Sequence, residues 1–140
     1  MKVAFATHDM KTVDAHFGGA RTVAIYEVSP AGHHFLEAVQ FDSKTDESGQ
    51  HDGENDHLGA KIEALKGCAL LFVAAIGGPA AARVVNSRIH PIKVPAPEPI
   101  PEVLARVQTM LNGNPPPWMR KILAAESQSG AMDFLEEEDR

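Results

Sequence analysis

The stretch CALLFVAAIGGPAAARVVNSR, Cys68 to Arg88, decides how the rest of the chain is read. Ala69 to Ala75 is a continuous apolar run of strand length. With no polar alternation, it fits a strand covered on both faces in the middle of an α/β sheet. Gly77 and Gly78 break the run, and Pro79 follows where a fixed φ suits the first helical residue. Ala80, Ala81, Ala82, Val84 and Val85 continue as a small-residue helix able to lie close against the sheet. The unit is therefore strand, glycine turn and helix. Free N–H groups at such a helix start suit a negatively charged ligand. Two glycines there equally serve to let strand and helix pack tightly.

Before this unit, Lys2 to Ala6 reads as a first strand, ended by the polar loop THDMKT, Thr7 to Thr12. Val13 to Ala20 (VDAHFGGA) places His16 and Phe17 beside Gly18 and Gly19, glycines that permit unusual backbone angles. Thr22 to Ser29 and His33 to Phe41 are strand-like runs separated by Pro30-Ala31-Gly32, a pattern that predicts an antiparallel hairpin. Asp42 to Asp56 is polar and without hydrophobic anchors, and Asn55 or Asp56 is read as the cap of the next helix. Leu58, Ile62 and Leu65 form that helix's buried stripe, and Gly67 ends it.

After the glycine-turn helix, Ile89 to Val94 is a short strand in which Pro91 implies an edge. Glu102 to Leu111 is an amphipathic helix closed by Asn112-Gly113. Trp118, Met119, Ile122 and Leu123 have the spacing of one face of a short helix, and Glu136 to Asp139 is an acidic end. The order predicts a three-layer α/β domain over residues 1–112 with a mixed sheet of about five strands, followed by a flexible Pro-rich and acidic tail over residues 113–140. Ligands of such sheets sit beyond the carboxyl ends of the strands, where the His16 loop and the Gly77-Gly78 turn are expected.

The 140 residues are 44% hydrophobic and 23% charged, an ordinary globular composition in one domain. The net charge of −6 argues against nucleic acid and anionic lipid as partners. The start MKVAFATHD is not a secretory signal, and no stretch is long enough to span a bilayer, so a cytoplasmic protein is expected. The single cysteine, Cys68, rules out an internal disulfide and a four-cysteine metal site. No nucleophile-elbow, Walker or H-E-x-x-H motif is present. His8, His16, His51 and His57 lie in or beside loops, and imidazole is the commonest neutral metal ligand. The segment from His51 to His57 offers ligand types at a spacing that fits no standard zinc pattern. A Mg²⁺-dependent nuclease would need converging acids, and only Asp9, Asp14, Glu27 and Glu37 come into question.

MKVAFAT, the V-D-A-H-F-G loop at Val13 to Gly18, the hairpin with IYEVS, and AAIGGPAAARVV together resemble the family that includes NifX, the NafY core domain and the C-terminal domain of many NifB proteins. The resemblance covers residues 1–112, and PPPWMRK looks similar as well. It implies a ribonuclease-H-like fold without nuclease activity, no catalysed reaction, and a carrier role in nitrogenase iron–molybdenum cofactor assembly. The cargo implied is an iron–sulfur cluster precursor of the NifB-cofactor type, passed between NifB-type and NifE/NifN-type assembly proteins. The alternative is a metal- or anion-binding domain of the same family with another client. The histidine implicated in a relative matches His16. A site follows on that basis: His16 as ligand, Phe17 and Gly18 shaping its loop, Gly77 and Gly78 supplying N–H groups, and Arg83 and Arg21 as the nearest cations in sequence. His51, His57 and Cys68 are lesser metal candidates, Cys68 because it opens the central strand at the end away from Gly77. The bland alternative for His16 is a hydrogen bond within its own loop.

Overall fold

The computed structural model describes residues 1–41 and 51–125, with side chains from Leu58 onward in the second stretch. Its sheet contains β1 (Lys2–Thr7), β3 (Thr22–Ser29), β4 (Gly32–Gln40), β5 (Cys68–Val73) and β6 (His90–Lys93), in the order β4-β3-β1-β5-β6. Strand β3 is antiparallel to both β1 and β4, while β1, β5 and β6 are parallel. The mixed five-stranded α/β architecture is the one the element order predicts. A two-residue pair, β2 (Thr12–Val13) with β7 (Glu98–Pro99), lies outside this sheet.

Alternation along β1 and β5 divides the core in two. Ala4, Ala6, Leu71 and Val73 face helices α1 (His51–Ala64) and α2 (Gly78–Asn86). Val3, Phe5, Leu70 and Phe72 face α3 (Ile100–Asn112). Strand β5 is buried along its whole length because both faces are covered, which is why its sequence shows no polar alternation. Pro91 sits in the edge strand β6, where a missing N–H is tolerated.

Two boundaries differ from the sequence reading. Helix α1 begins at His51, inside the expected Asp42–Asp56 loop, and residues 42–50 lie outside the described residues. The opening turns of a helix need no apolar stripe, and acids there suit its positive end, so the absence of hydrophobic anchors hid the start. The packed unit also passes residue 112. Residues 117–125 are helical, Met119 is fully buried, and Ile122 and Leu123 pack on the second core. Trp118 stacks on His90 with ring centroids 4.7 Å apart and planes 5° apart. The apolar spacing from Trp118 to Leu123 thus packs on the domain, and residues 126–140 of the expected tail lie outside the described residues.

Candidate functional site

The parallel strands β1 and β5 end together, at Thr7 and Val73. Asp9 folds the chain back after β1, its Oδ1 accepting the N–H groups of Lys11 and Thr12, both at 2.9 Å. The Lys11 N–H in particular holds the Asp9 carboxyl below its usual range. Met10 takes φ +65 within this turn, and its N–H donates to Thr7 Oγ1. Asp14 Oδ1 then accepts the His8 N–H at 2.9 Å and lies 3.4 Å from His8 Nδ1.

From Ala15 the loop runs beside the continuation of β5. The Ala74 N–H donates to Ala15 O and the Phe17 N–H to Ala75 O, both at 2.9 Å, bridging His16 to Ala75 in parallel. Extended backbone alternates its side chains. Ala15 and Phe17 point inward and are fully buried in the α1/α2 core, and His16 points out to solvent. Phe17 is therefore buried beneath an outward imidazole.

The Gly77-Gly78 turn is separated from Ala75 by Ile76 alone, so the bridge brings that turn to the His16 loop. The Gly77 carbonyl accepts the Ala81 N–H at 2.8 Å and opens α2. The first N–H groups of a helix have no intrahelical acceptor. Here these include Gly78 and Ala80, Pro79 having none. None of Gly18, Gly19, Gly77 and Gly78 needs a glycine's freedom. Only Gly67, at φ +94, has a positive φ among the described glycines, and a Cβ on any of those four would meet nothing within 4 Å. Neither unusual angles nor close packing explains them, and their effect is to leave backbone uncovered. Arg21 immediately precedes β3, whose Thr22 pairs with Thr7, so it stands at this same edge and is exposed.

Arg83 does not join them. It lies in the last turn of α2 and turns to α1, with Nη2 3.3 Å from where a Cβ on Gly59 would stand. There it lines a groove of about 430 Å³ with Glu63, Lys66, Asn86 and Ser87. Helical rise, not sequence proximity, sets this, since six residues carry it about 9 Å along the axis from Gly77. Cys68 pairs with Lys2 at the opposite edge of the sheet and is buried. Burial pushes its thiol up to about 11. His51 and His57 fall in α1, and their side chains lie outside the described residues.

The cation that does reach the loop was not among the candidates. Lys61 is fully buried, and its Nζ donates to Phe17 O at 3.0 Å and to Gly18 O at 2.8 Å. The ammonium also lies 5.8 Å from the Phe17 ring centroid and 5.4 Å from that of Phe41. A signal was available, because position 61 falls between Leu58 and Leu65 on the apolar stripe, where a lysine breaks the pattern.

Among the described residues no three His, Cys, Asp or Glu side chains come close enough to hold a metal ion. The carboxylates do not converge either: Asp9 folds its own turn, Asp14 binds His8, and Glu27 sits opposite Lys2 at the far edge. What the carboxyl edge offers is one outward imidazole on a braced loop beside a helix start. That suits a single bond to a group already carrying its other ligands.

These features describe a mixed-sheet α/β domain that presents one outward imidazole beside a helix start at the carboxyl edge of its parallel strands. Residues 1–110 match the family described as dinitrogenase iron-molybdenum cofactor. The chain is 51% identical to protein NifX of Rhodobacter capsulatus and 52% identical to protein NifX of Sinorhizobium fredii, covering 99% of this chain and 87% of each relative. Protein NifY of Azotobacter vinelandii is 30% identical over 90% of this chain and 49% of its own length. The crystal structure of PH0822 superposes with a TM-score of 0.60 over 78% of this chain and 89% of that one, at 20% identity, and so shares the fold. The chain belongs to the dinitrogenase iron-molybdenum cofactor family, on its NifX branch. No helix among the described residues is long and apolar enough to cross a membrane.

Proposed function

We propose that this protein is a non-enzymatic carrier in the biosynthesis of the nitrogenase iron–molybdenum cofactor. Family membership and the NifX and NifY relatives support the role in cofactor biosynthesis. A relative at 30% identity over 90 residues is named FeMo cofactor biosynthesis protein NifB. The cargo is an iron–sulfur precursor of the NifB-cofactor type, received from NifB-type and delivered to NifE/NifN-type assembly proteins. Its ligand is His16, with Phe17 and Gly18 holding the loop, N–H groups of the Gly77-Gly78 turn facing the anionic cluster, and Arg21 at the rim.

One observation carries this reading. His16 is exposed while Ala15 and Phe17 on either side are fully buried, so the imidazole is presented outward from backbone tied to Ala75. A single imidazole binds an exposed iron without dismantling the cluster's own sulfide ligation, as a carrier that must also release requires. Anaerobic incubation with the NifB-produced cluster, followed by gel filtration and iron analysis, tests it. The wild type should elute with iron, and His16→Ala should retain the cluster about tenfold less well. Elution of the wild type without iron refutes the carrier reading, and equal retention by His16→Ala refutes the ligand.

A further inference from the structure

We propose that Lys61 is the positioning residue of the His16 loop: the buried ammonium in α1 grips the two carbonyls that follow His16 and holds the imidazole in its outward pose. The proposal deepens the carrier reading, and rests on it only for what His16 binds.

A lysine on the apolar stripe of a helix calls for a reason. Desolvating an ammonium costs several kcal/mol before any partner is found, and apolar residues of similar size often serve a core equally well. Lys61 is nevertheless fully buried between Leu58 and Leu65. Two hydrogen bonds of its Nζ, at 3.0 and 2.8 Å, go to Phe17 O and Gly18 O, which belong to consecutive residues beginning one position after His16. Both are charge-assisted and of normal length.

The loop needs such a grip. On its other side it is tied to β5 through Ala15, His16 and Phe17. Beyond Phe17 come Gly18 and Gly19, which have no side chains to pack and open space where a Cβ would be. The Ala20 N–H reaches Phe17 O only at 3.4 Å. The bridge to Ala75 therefore fixes the start of the turn, and Lys61 fixes its exit from α1. The Phe17 ring, clamped between this ammonium and the core, is the wedge under His16.

The test uses Lys61→Met, Lys61→Arg, and Leu65→Ala as a control with a lesion in the same core, beside Cys68 at the start of β5. On the cluster-free protein, amide exchange at Phe17 through Ala20 should quicken about tenfold or more in Lys61→Met relative to the central strand β5, while Leu65→Ala changes both alike. Lys61→Arg should restore most of the protection, since a donor of the same charge remains. With the NifB-produced cluster, Lys61→Met should weaken retention about tenfold in the wild-type background. It should add nothing in the His16→Ala background, since a residue acting through His16 has nothing left to act on. Unchanged loop exchange in Lys61→Met, or an equal loss of retention in both backgrounds, overturns the proposal. If His16→Ala retains the cluster, the ligand assignment falls, and the exchange measurement still decides whether Lys61 positions the loop. If Lys61→Met does not fold, Lys61→Gln, which keeps an amide donor, is measured in the same way.

Discussion

Replacing Phe17 by alanine tests how the imidazole of His16 is presented. Phe17 is fully buried in the α1/α2 core with Ala15, Ala20, Ile62 and Leu65, and its N–H is tied to Ala75 O at 2.9 Å. Removing a buried phenyl ring costs about 3–5 kcal/mol, from lost transfer free energy and the cavity left behind. A domain of this size is stable by only about 5–15 kcal/mol, so the variant should fold but melt early. At about 3 °C per kcal/mol, the midpoint should fall by about 9–15 °C. Phe17→Leu, which keeps most of the volume, should cost less than about 1.5 kcal/mol. Thermal unfolding by circular dichroism measures both, and iron retention after anaerobic loading measures the consequence at His16. Retention should fall in Phe17→Ala although the imidazole is intact, and should be close to wild type in Phe17→Leu. A midpoint for Phe17→Ala within about 3 °C of wild type, together with unimpaired retention, would refute the wedge argument.

Three further expectations follow from other parts of the molecule. Cys68, its thiol pushed up to about 11 chiefly by burial, should have only about one thiolate in 10³ at pH 8 and react slowly with thiol reagents until urea exposes it. Because that thiol ionises more readily in the unfolded chain, the stability it contributes is present below pH 9 and is lost as pH rises toward 11, which urea titrations across that range will show. Burial holds His90 below its usual value, so the unfolded chain takes up its proton first on acidification. Stability should fall as pH drops below about 6.5, with fluorescence of Trp118, the only tryptophan, reporting the stacked ring pair. Met119→Ala should lower stability by about 2–5 kcal/mol in denaturant titrations, an effect a residue outside the packed domain would not have.

The chain's own order of residues determined the architecture. The unbroken apolar run of β5, the hairpin turn at Pro30-Ala31 and the glycine break before α2 are local signals, and each acts through backbone geometry or periodic burial within one element. The pairing of an inward Phe17 with an outward His16 comes instead from the bridge to Ala75, which extends the backbone there so that neighbours point oppositely. Distance along the chain failed wherever a side chain acts across elements. Arg83 is near Gly77 in sequence, yet the helix carries it to the groove with Glu63 and Lys66. Lys61 lies 43 residues from Gly18, and only the packing of α1 over the sheet sets its ammonium under the loop. Residues 117–125 likewise take their order from the core they cover, through Met119 and the Trp118–His90 stack. Periodicity in a sequence reports which side of an element is buried; what lies opposite that side is decided by tertiary packing, because the energy of a buried charge or ring belongs to both partners at once.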